Sequence, residues 1–206
     1  MTTAIILNGP PGSGKDTIAQ LLVHETALGN TERFQQFEFK HELYRCTAEY
    51  FDVDLESFIK QATDRDWKER IWPPLSHYSD KGNLIRTFTP REALIHVSED
   101  IIKPSHGADY FGQAAARSVI AAQAANAVFS DGGFTEEIRP LIESCDRVFI
   151  FHLCREGFTF DGDSRDYIMD YPNISYRLEL VESDPMQAVN SILHITNPVF
   201  QHQQIA

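Results

Sequence analysis

Apolar residues come along this chain in short bursts whose spacing changes from one segment to the next. Ala4, Ile5, Ile6 and Leu7 follow one another without a polar break, the pattern of a strand buried on both faces. Between Thr17 and Leu28 the apolar positions Ile18, Leu21, Leu22 and Ala27 shift to helical spacing, so a helix is predicted to pack on that strand. Phe34, Phe37 and Phe39 alternate loosely enough for strand or loop, and His41 to Phe51 reads as helix. From Asp52 to Pro90 charged helical fragments around Leu55 to Trp67 meet the breakers Pro73, Pro74 and Gly82, and the stretch is expected to be an insertion over the sheet edge.

Thr89-Pro90-Arg91-Glu92 combines a threonine cap, proline at the first helical position and glutamate three residues after the cap, so a helix should start there and run to about Ile102. An alanine-rich helix follows from about Tyr110 to Ala125, then the apolar run Ala127-Val128-Phe129 closing on Ser130-Asp131. A short helix over Glu136 to Ser144, a strand over Arg147 to Leu153, an edge strand over Ile174 to Leu180, and a helix capped by Asp184 and running to about Leu193 complete the pattern. Strands alternating with helices predict an α/β fold, a mostly parallel five-stranded sheet with helices on both faces. The tail from Asn197 to Ala206 is expected to be loosely held.

With 206 residues, 42% hydrophobic and 23% charged, the chain is long enough to bury one substantial core. No apolar run approaches the roughly 18 residues of a membrane helix. Eighteen basic against 30 acidic residues, a formal charge of −12, weigh against wrapping duplex DNA, since that binding depends on neutralising phosphates. An anionic ligand therefore needs a local positive site. Cys46, Cys145 and Cys154 are odd in number, without C-x-x-C or histidine partners at metal spacing, and suit a reducing compartment. With no basic leader before the first strand, the expectation is a cytoplasmic protein.

The positive site lies between the first strand and the first helix. Gly9, Pro10, Pro11, Gly12, Ser13, Gly14, Lys15, Asp16 and Thr17 carry the G-x-x-x-x-G-K pattern, in which backbone N–H groups and the helix N-terminus surround phosphate oxygens and the lysine adds a point charge. Asp16 stands where serine or threonine usually offers a hydroxyl to Mg²⁺; it either holds a metal-bound water or favours the helix dipole as a first-turn acid. Thr17 then supplies hydroxyl and N–H. Asp131 is placed at the carboxyl edge of the sheet, where an acid orients Mg²⁺ through water or, alternatively, caps Gly132-Gly133.

Gly-Pro-Pro-Gly-Ser-Gly-Lys followed by Asp-Thr resembles the P-loop nucleoside monophosphate kinases, and Gly-Lys-Asp-Thr in particular the bacteriophage deoxynucleoside monophosphate kinases. Phe39-Lys40-His41-Glu42-Leu43, Asp64-Arg65-Asp66-Trp67-Lys68-Glu69, Thr89-Pro90-Arg91-Glu92-Ala93-Leu94, Asp109-Tyr110-Phe111 and residues 131–137 are similar to segments of that family in the same order, over roughly Ile5 to Leu193. Gly133 stands where the family has arginine, and His96 to Asp100 lacks its Gln and Gly-Thr. The resemblance implies one P-loop kinase domain over residues 1–206, with a substrate-binding insertion at about 40–110 and a lid at about 155–166. It implies ATP and Mg²⁺ as cofactors, with Asp16, Thr17 and Asp131 near the metal, and Arg91, the arginine of the P-R-x-x-L segment, facing the substrate.

Arg155 and Arg165 flank that lid; they either neutralise the phosphoryl group or pair with Asp161, Asp163 and Asp166 on a solvated loop. Lys40, Arg45, Arg65, Lys68 and Arg91, with Glu137, are the candidate substrate ligands, Arg91 foremost because its fork grips phosphate bidentately; Arg86 falls in the same region. Among Trp67, Trp72, Phe88, Tyr110 and Phe111 one ring stacks on a base, or all are core. The expected activity is phosphoryl transfer from ATP to a deoxynucleoside monophosphate, with Lys15, Asp131, Arg155 and Arg165 as the catalytic set. Alternatives are a kinase with a hydroxyl acceptor and a non-catalytic nucleotide-binding module. Small-molecule nucleotides are the expected partners, with neither a membrane nor duplex DNA, and a homodimer is left open.

Overall fold

The computed structural model describes residues 1–28, 33–163 and 165–196; the expectation for the tail from Asn197 falls outside them, as does Ser164 of the expected lid. Within these residues the chain divides into two compact units, one made of Met1–Phe39 with Gly112–Ala206 and the other of Lys40–Phe111.

The first unit is built on β1 (Thr3–Asn8), β2 (Phe34–Phe37), β5 (Asn126–Phe129), β6 (Arg147–Cys154) and β7 (Ser175–Glu179), in the order β2-β5-β1-β6-β7 with every pairing parallel. All six residues of β1 are buried because it is the central strand and both its faces are covered. Ala4 and Ile6 turn to one side, where they join Ala115, Ala116 and Val119 of α6 (Tyr110–Ala121) and Ile138 and Leu141 of α7 (Ile138–Ser144). Ile5 and Leu7 turn to the other and pack with Ile18, Ala19 and Leu22 of α1 (Lys15–Leu28) and Ala188, Val189 and Ile192 of α8 (Pro185–Thr196). The period of two along β1 thus divides the interior into two clusters, and the result is three layers, helix on sheet on helix.

The second unit holds α2 (Lys40–Tyr50), α3 (Leu55–Thr63), the antiparallel hairpin β3 (Ser76–Tyr78) and β4 (Leu84–Thr87), α4 (Pro90–His96) and α5 (Lys103–His106), around Tyr44, Phe58, Leu75, Phe88 and Ala93. Thr89 caps α4 as its sequence predicts: its hydroxyl accepts from the Glu92 N–H at 3.1 Å while Glu92 accepts from the Thr89 N–H at 2.9 Å. The helix does not stop near Ile102. A π-helical stretch, Val97–Ile102, carries it into α5, and Gly107, at φ +99°, ends it.

Three further boundaries differ from the pattern. The helical fragments stop at Thr63, and the hairpin β3–β4 had no visible signal because its strands are only three and four residues long. The alanine-rich helix ends at Ala121, where Gln123 turns to φ +50°. The last helix runs on to Thr196.

Candidate functional site

The strand order puts β1 between β5 and β6, so the loop after β1 leaves the sheet where chain crossings to left and right diverge, the crevice in which open α/β sheets take ligands. Residues 9–14 form that loop. Gly12 at φ +77° and Gly14 at φ +100° adopt left-handed backbone that other residues rarely enter, and Lys15 then starts α1.

Lys15 is buried and folded back on its own loop: its Nζ donates to the carbonyl oxygens of Gly9 at 2.6 Å and Pro10 at 2.8 Å. Burial, reinforced by the Arg165 guanidinium, lowers its pKa to about 8, against the opposing pull of Asp16, Asp163 and Asp131. The Ser13 hydroxyl is buried without a hydrogen-bond partner. A buried ammonium and an unpartnered hydroxyl in one glycine-rich loop are the groups that acceptor oxygens of an anion could satisfy.

Asp16, in the first turn of α1, accepts from the Ser130 hydroxyl at 2.6 Å, and Gln36 Nε2 donates to the same hydroxyl at 3.3 Å. Asp131 follows β5 by two residues and accepts from the Phe39 N–H at 3.2 Å. Thr17 is exposed on α1. Among the described residues no three His, Cys, Asp or Glu side chains gather as a metal cage. Mg²⁺ does not require one, since it is commonly held by one or two carboxylates, waters and the phosphates themselves, and the Asp16 and Asp131 carboxylates flanking an anion site fit that arrangement.

Arg165 is held by Asp163: Nε donates to Oδ1 at 2.9 Å, Nη2 to Oδ2 at 2.8 Å, and the Arg165 N–H to Oδ1 at 3.0 Å. The pair drives the Asp163 pKa down to about 2, and Asp163, with Asp131 and Glu137 behind it, raises that of Arg165. Arg165 thus pairs with Asp163, one of the carboxylates named beside it in the sequence, and does so half-buried rather than on a solvated loop. Arg155 takes another course. Its Nη1 donates to the Gly12 carbonyl at 3.3 Å, its guanidinium lies 4.5 Å over the Phe158 ring, and its nearest carboxylate is Glu182 at 3.8 Å. Arg155, residues 180–185 and Ser13, Gly14, Thr17 and Ile18 together line a cleft of about 260 Å³.

Several residues at this edge were invisible to sequence reasoning. Asn8, wholly buried at the end of β1, donates to the carbonyls of Gly132 and Asp166 and accepts from the Ile168 N–H, tying the loop after β5 to the segment after the lid. Ser130, which donates to Asp16, is of the same kind. Asp184 had been read only as a helix cap; its place beside the cleft follows from β7 lying next to β6.

The remaining candidates divide between the units. Glu137 is buried in the first, preceding α7. Lys40, Arg45, Arg65, Lys68 and Arg91 are in the second. Arg45 is gripped by Glu42 through two bonds of 2.9 Å and by Glu49 at 2.9 Å, which raises its pKa. Arg91 pairs with Glu69 at 3.0 Å, and its N–H donates to the Lys68 carbonyl at 3.1 Å. Arg65 is exposed, Lys68 half-buried, and Arg86 pairs with Glu92 at 2.6 Å. Phe88 and Phe111 are core, Trp72 packs against the core, the Tyr110 hydroxyl donates to Glu42 at 3.0 Å, and Trp67 stays exposed with Arg70 over its ring. Among the described residues no helix is long and apolar enough to cross a membrane.

No protein-family model and no curated protein matches the chain. Among solved structures, an unliganded sugar kinase from Janibacter sp. HTCC2649 superposes over 94% of this chain and 93% of its own, at 15% identity and a TM-score of 0.42. A likeness that slight leaves the site to be read from its own geometry.

Proposed function

We propose that this chain is a P-loop kinase that transfers the γ-phosphoryl group of ATP to a deoxynucleoside monophosphate, giving ADP and a deoxynucleoside diphosphate. The observation that carries the reading is the state of Lys15, a buried ammonium that donates to two carbonyls of its own glycine-rich loop, beside a Ser13 hydroxyl with no partner among the described residues. A polyphosphate gives that ammonium the countercharge the loop denies it, and the loop N–H groups and the start of α1 face the same oxygens. The cleft lined by Ile18, Arg155 and residues 180–185 offers apolar surface, one cation and the carboxylates of Glu182 and Asp184 next to the loop, a mixture that suits a nucleotide base and ribose.

In this reaction an anionic oxygen of the acceptor phosphate attacks the γ-phosphorus and the bond to the β-γ bridging oxygen breaks, leaving ADP. The nucleophile is already ionised and needs no general base, so catalysis consists of alignment and charge neutralisation. Lys15, Arg155 and Arg165 are assigned to the oxygens of the transferring group. Asp16, Thr17 and Asp131 would hold Mg²⁺, which when bound with ATP offsets charge on the β- and γ-oxygens. Lys40, Arg45, Arg65, Lys68 and Arg91 are the proposed ligands of the acceptor, Arg91 ahead of Arg45 because it has one carboxylate to exchange for phosphate rather than two.

The test is a panel of deoxynucleoside and ribonucleoside monophosphates, with hydroxymethylated deoxynucleotides included, incubated with Mg·ATP and scored for ADP and phosphorylated product. Turnover with one or more deoxynucleoside monophosphates is expected. Phosphate appearing on a hydroxymethyl group instead would give the hydroxyl-acceptor kinase, and nucleotide binding without ADP across the panel would leave a binding module.

A further inference from the structure

Gly133 is a glycine for want of space, not of backbone freedom, since its φ lies outside the left-handed region. A Cβ built there would fall 2.5 Å from Cδ, 2.7 Å from Cγ and 2.9 Å from Cβ of Arg165. Those distances are too short for any contact between carbon atoms, and the third is decisive. Cγ and Cδ can swing aside by a change of rotamer, but Cβ moves only with the backbone of residue 165. The bare Cα of Gly133 is therefore occupied by the stem of this arginine, while Asp163 grips its head at 2.9 and 2.8 Å.

We propose that Gly133 and Asp163 are positioning residues that act together on Arg165: the glycine supplies the seat for its aliphatic stem and the carboxylate fixes the plane of its guanidinium. An arginine side chain restrained at one end loses about 2 kcal/mol of rotamer freedom less completely than one restrained at both. The seat thus presents a pre-set cation to the transferring group instead of one that must be ordered during the reaction. Its consequence for turnover rests on the kinase reading above; the seat itself does not.

The two are separated by reading Arg165 in the ligand-free protein. With ¹⁵N-labelled arginine, and the Arg165 Nε–H signal assigned by its loss in Arg165→Lys, the parent protein should show an Nε–H protected from exchange with water. Gly133→Ala should speed that exchange at least about tenfold, Asp163→Asn should do likewise, and circular dichroism should report both as folded. Gly132→Ala is the control, because a Cβ there meets Ile6 Cγ2 at 2.5 Å and disturbs the same loop without touching Arg165. Its Arg165 signal should stay as in the parent. An unchanged Arg165 exchange rate in Gly133→Ala, or an equal change in Gly132→Ala, overturns the seat. In the turnover assay Gly133→Ala should lower kcat by about 10²-fold with the KM for ATP nearly unchanged, as for a lost donor to the transition state. A raised KM with an unaltered kcat overturns the positioning role. Faster exchange in protein that turns over no acceptor at all keeps the seat and rejects the kinase.

Discussion

Lys15 carries a cost that the unliganded fold does not recover. Its pKa of about 8 lies below the 10.5 of an ordinary lysine, so the folded state disfavours the charged form. Below pH 8 the lysine is charged in both states and the folded protein bears the whole penalty; as pH rises from about 8 to 10.5 the penalty is lost, so this group's contribution makes the protein more stable with rising pH. Lys15→Met should therefore abolish ADP formation while raising the melting temperature by a few degrees, about 1–2 kcal/mol. Thermal denaturation beside the ADP assay checks both halves, and wild-type turnover in the folded variant would remove Lys15 from the catalytic set. Asp163 behaves in the opposite sense. Its pKa of about 2 contributes stability that is complete above about pH 4 and lost as pH falls toward 2, so Arg165 should loosen from the segment in that window, visible in its Nε–H exchange. Lys15 was legible from spacing alone because the loop is local in sequence. The Asp163–Arg165 pair was legible only as one of two alternatives, because solvation of a loop is decided by what the rest of the chain lays over it.

At the level of elements, β1, the loop and α1 were readable because strand, turn and helix follow one another without a break and each has its own period. The hairpin β3–β4 was not, since three and four residues are too few to display alternation, and Leu84 and Ile85 are both exposed. Nor was the π-helical stretch Val97–Ile102, which shares its residue types with an ordinary helix. Asn8 is the clearest case. By sequence it is the polar end of a hydrophobic strand; in the fold its buried side chain makes three hydrogen bonds to backbone groups of residues 132, 166 and 168. Asn8→Ala should cost about 3 kcal/mol, because those groups are left unpaired away from water, and chemical denaturation should show it as a lowered midpoint with unchanged slope. Asn8→Asp should be no better, since a carboxylate cannot donate to the carbonyls of Gly132 and Asp166.

The described residues fall into two units with separate cores. If the proposed roles hold, ligand footprints divide in the same way. In hydrogen exchange read by mass spectrometry, Mg·ATP should protect residues 9–17 and 155–185 in the first unit, and the accepting monophosphate should protect segments of Lys40–Phe111. Protection by the monophosphate confined to the first unit would reassign the acceptor ligands Lys40, Arg45, Arg65, Lys68 and Arg91. Charge is organised on the same scale. Residues 131–206 carry 13 acids and 5 arginines, yet two of those arginines, Arg155 and Arg165, lie beside the glycine-rich loop and its lysine. A net charge of −12 describes solubility; the few kilocalories that matter to a phosphate come from cations held at short range.

By itself the sequence determined the α/β alternation, the parallel sheet covered on both faces, the glycine-rich loop and its lysine, and the capped start of α4, because each depends on neighbours within a few residues or on a local period. Tertiary structure alone decided the strand order, which carbonyls receive Lys15, that Arg165 rests on Gly133, and that Asn8 joins three distant segments. These depend on contacts between residues 5 to 160 positions apart, through side chains whose partners share no period with them. A glycine in a loop reads as flexibility until the fold shows what occupies the space it leaves.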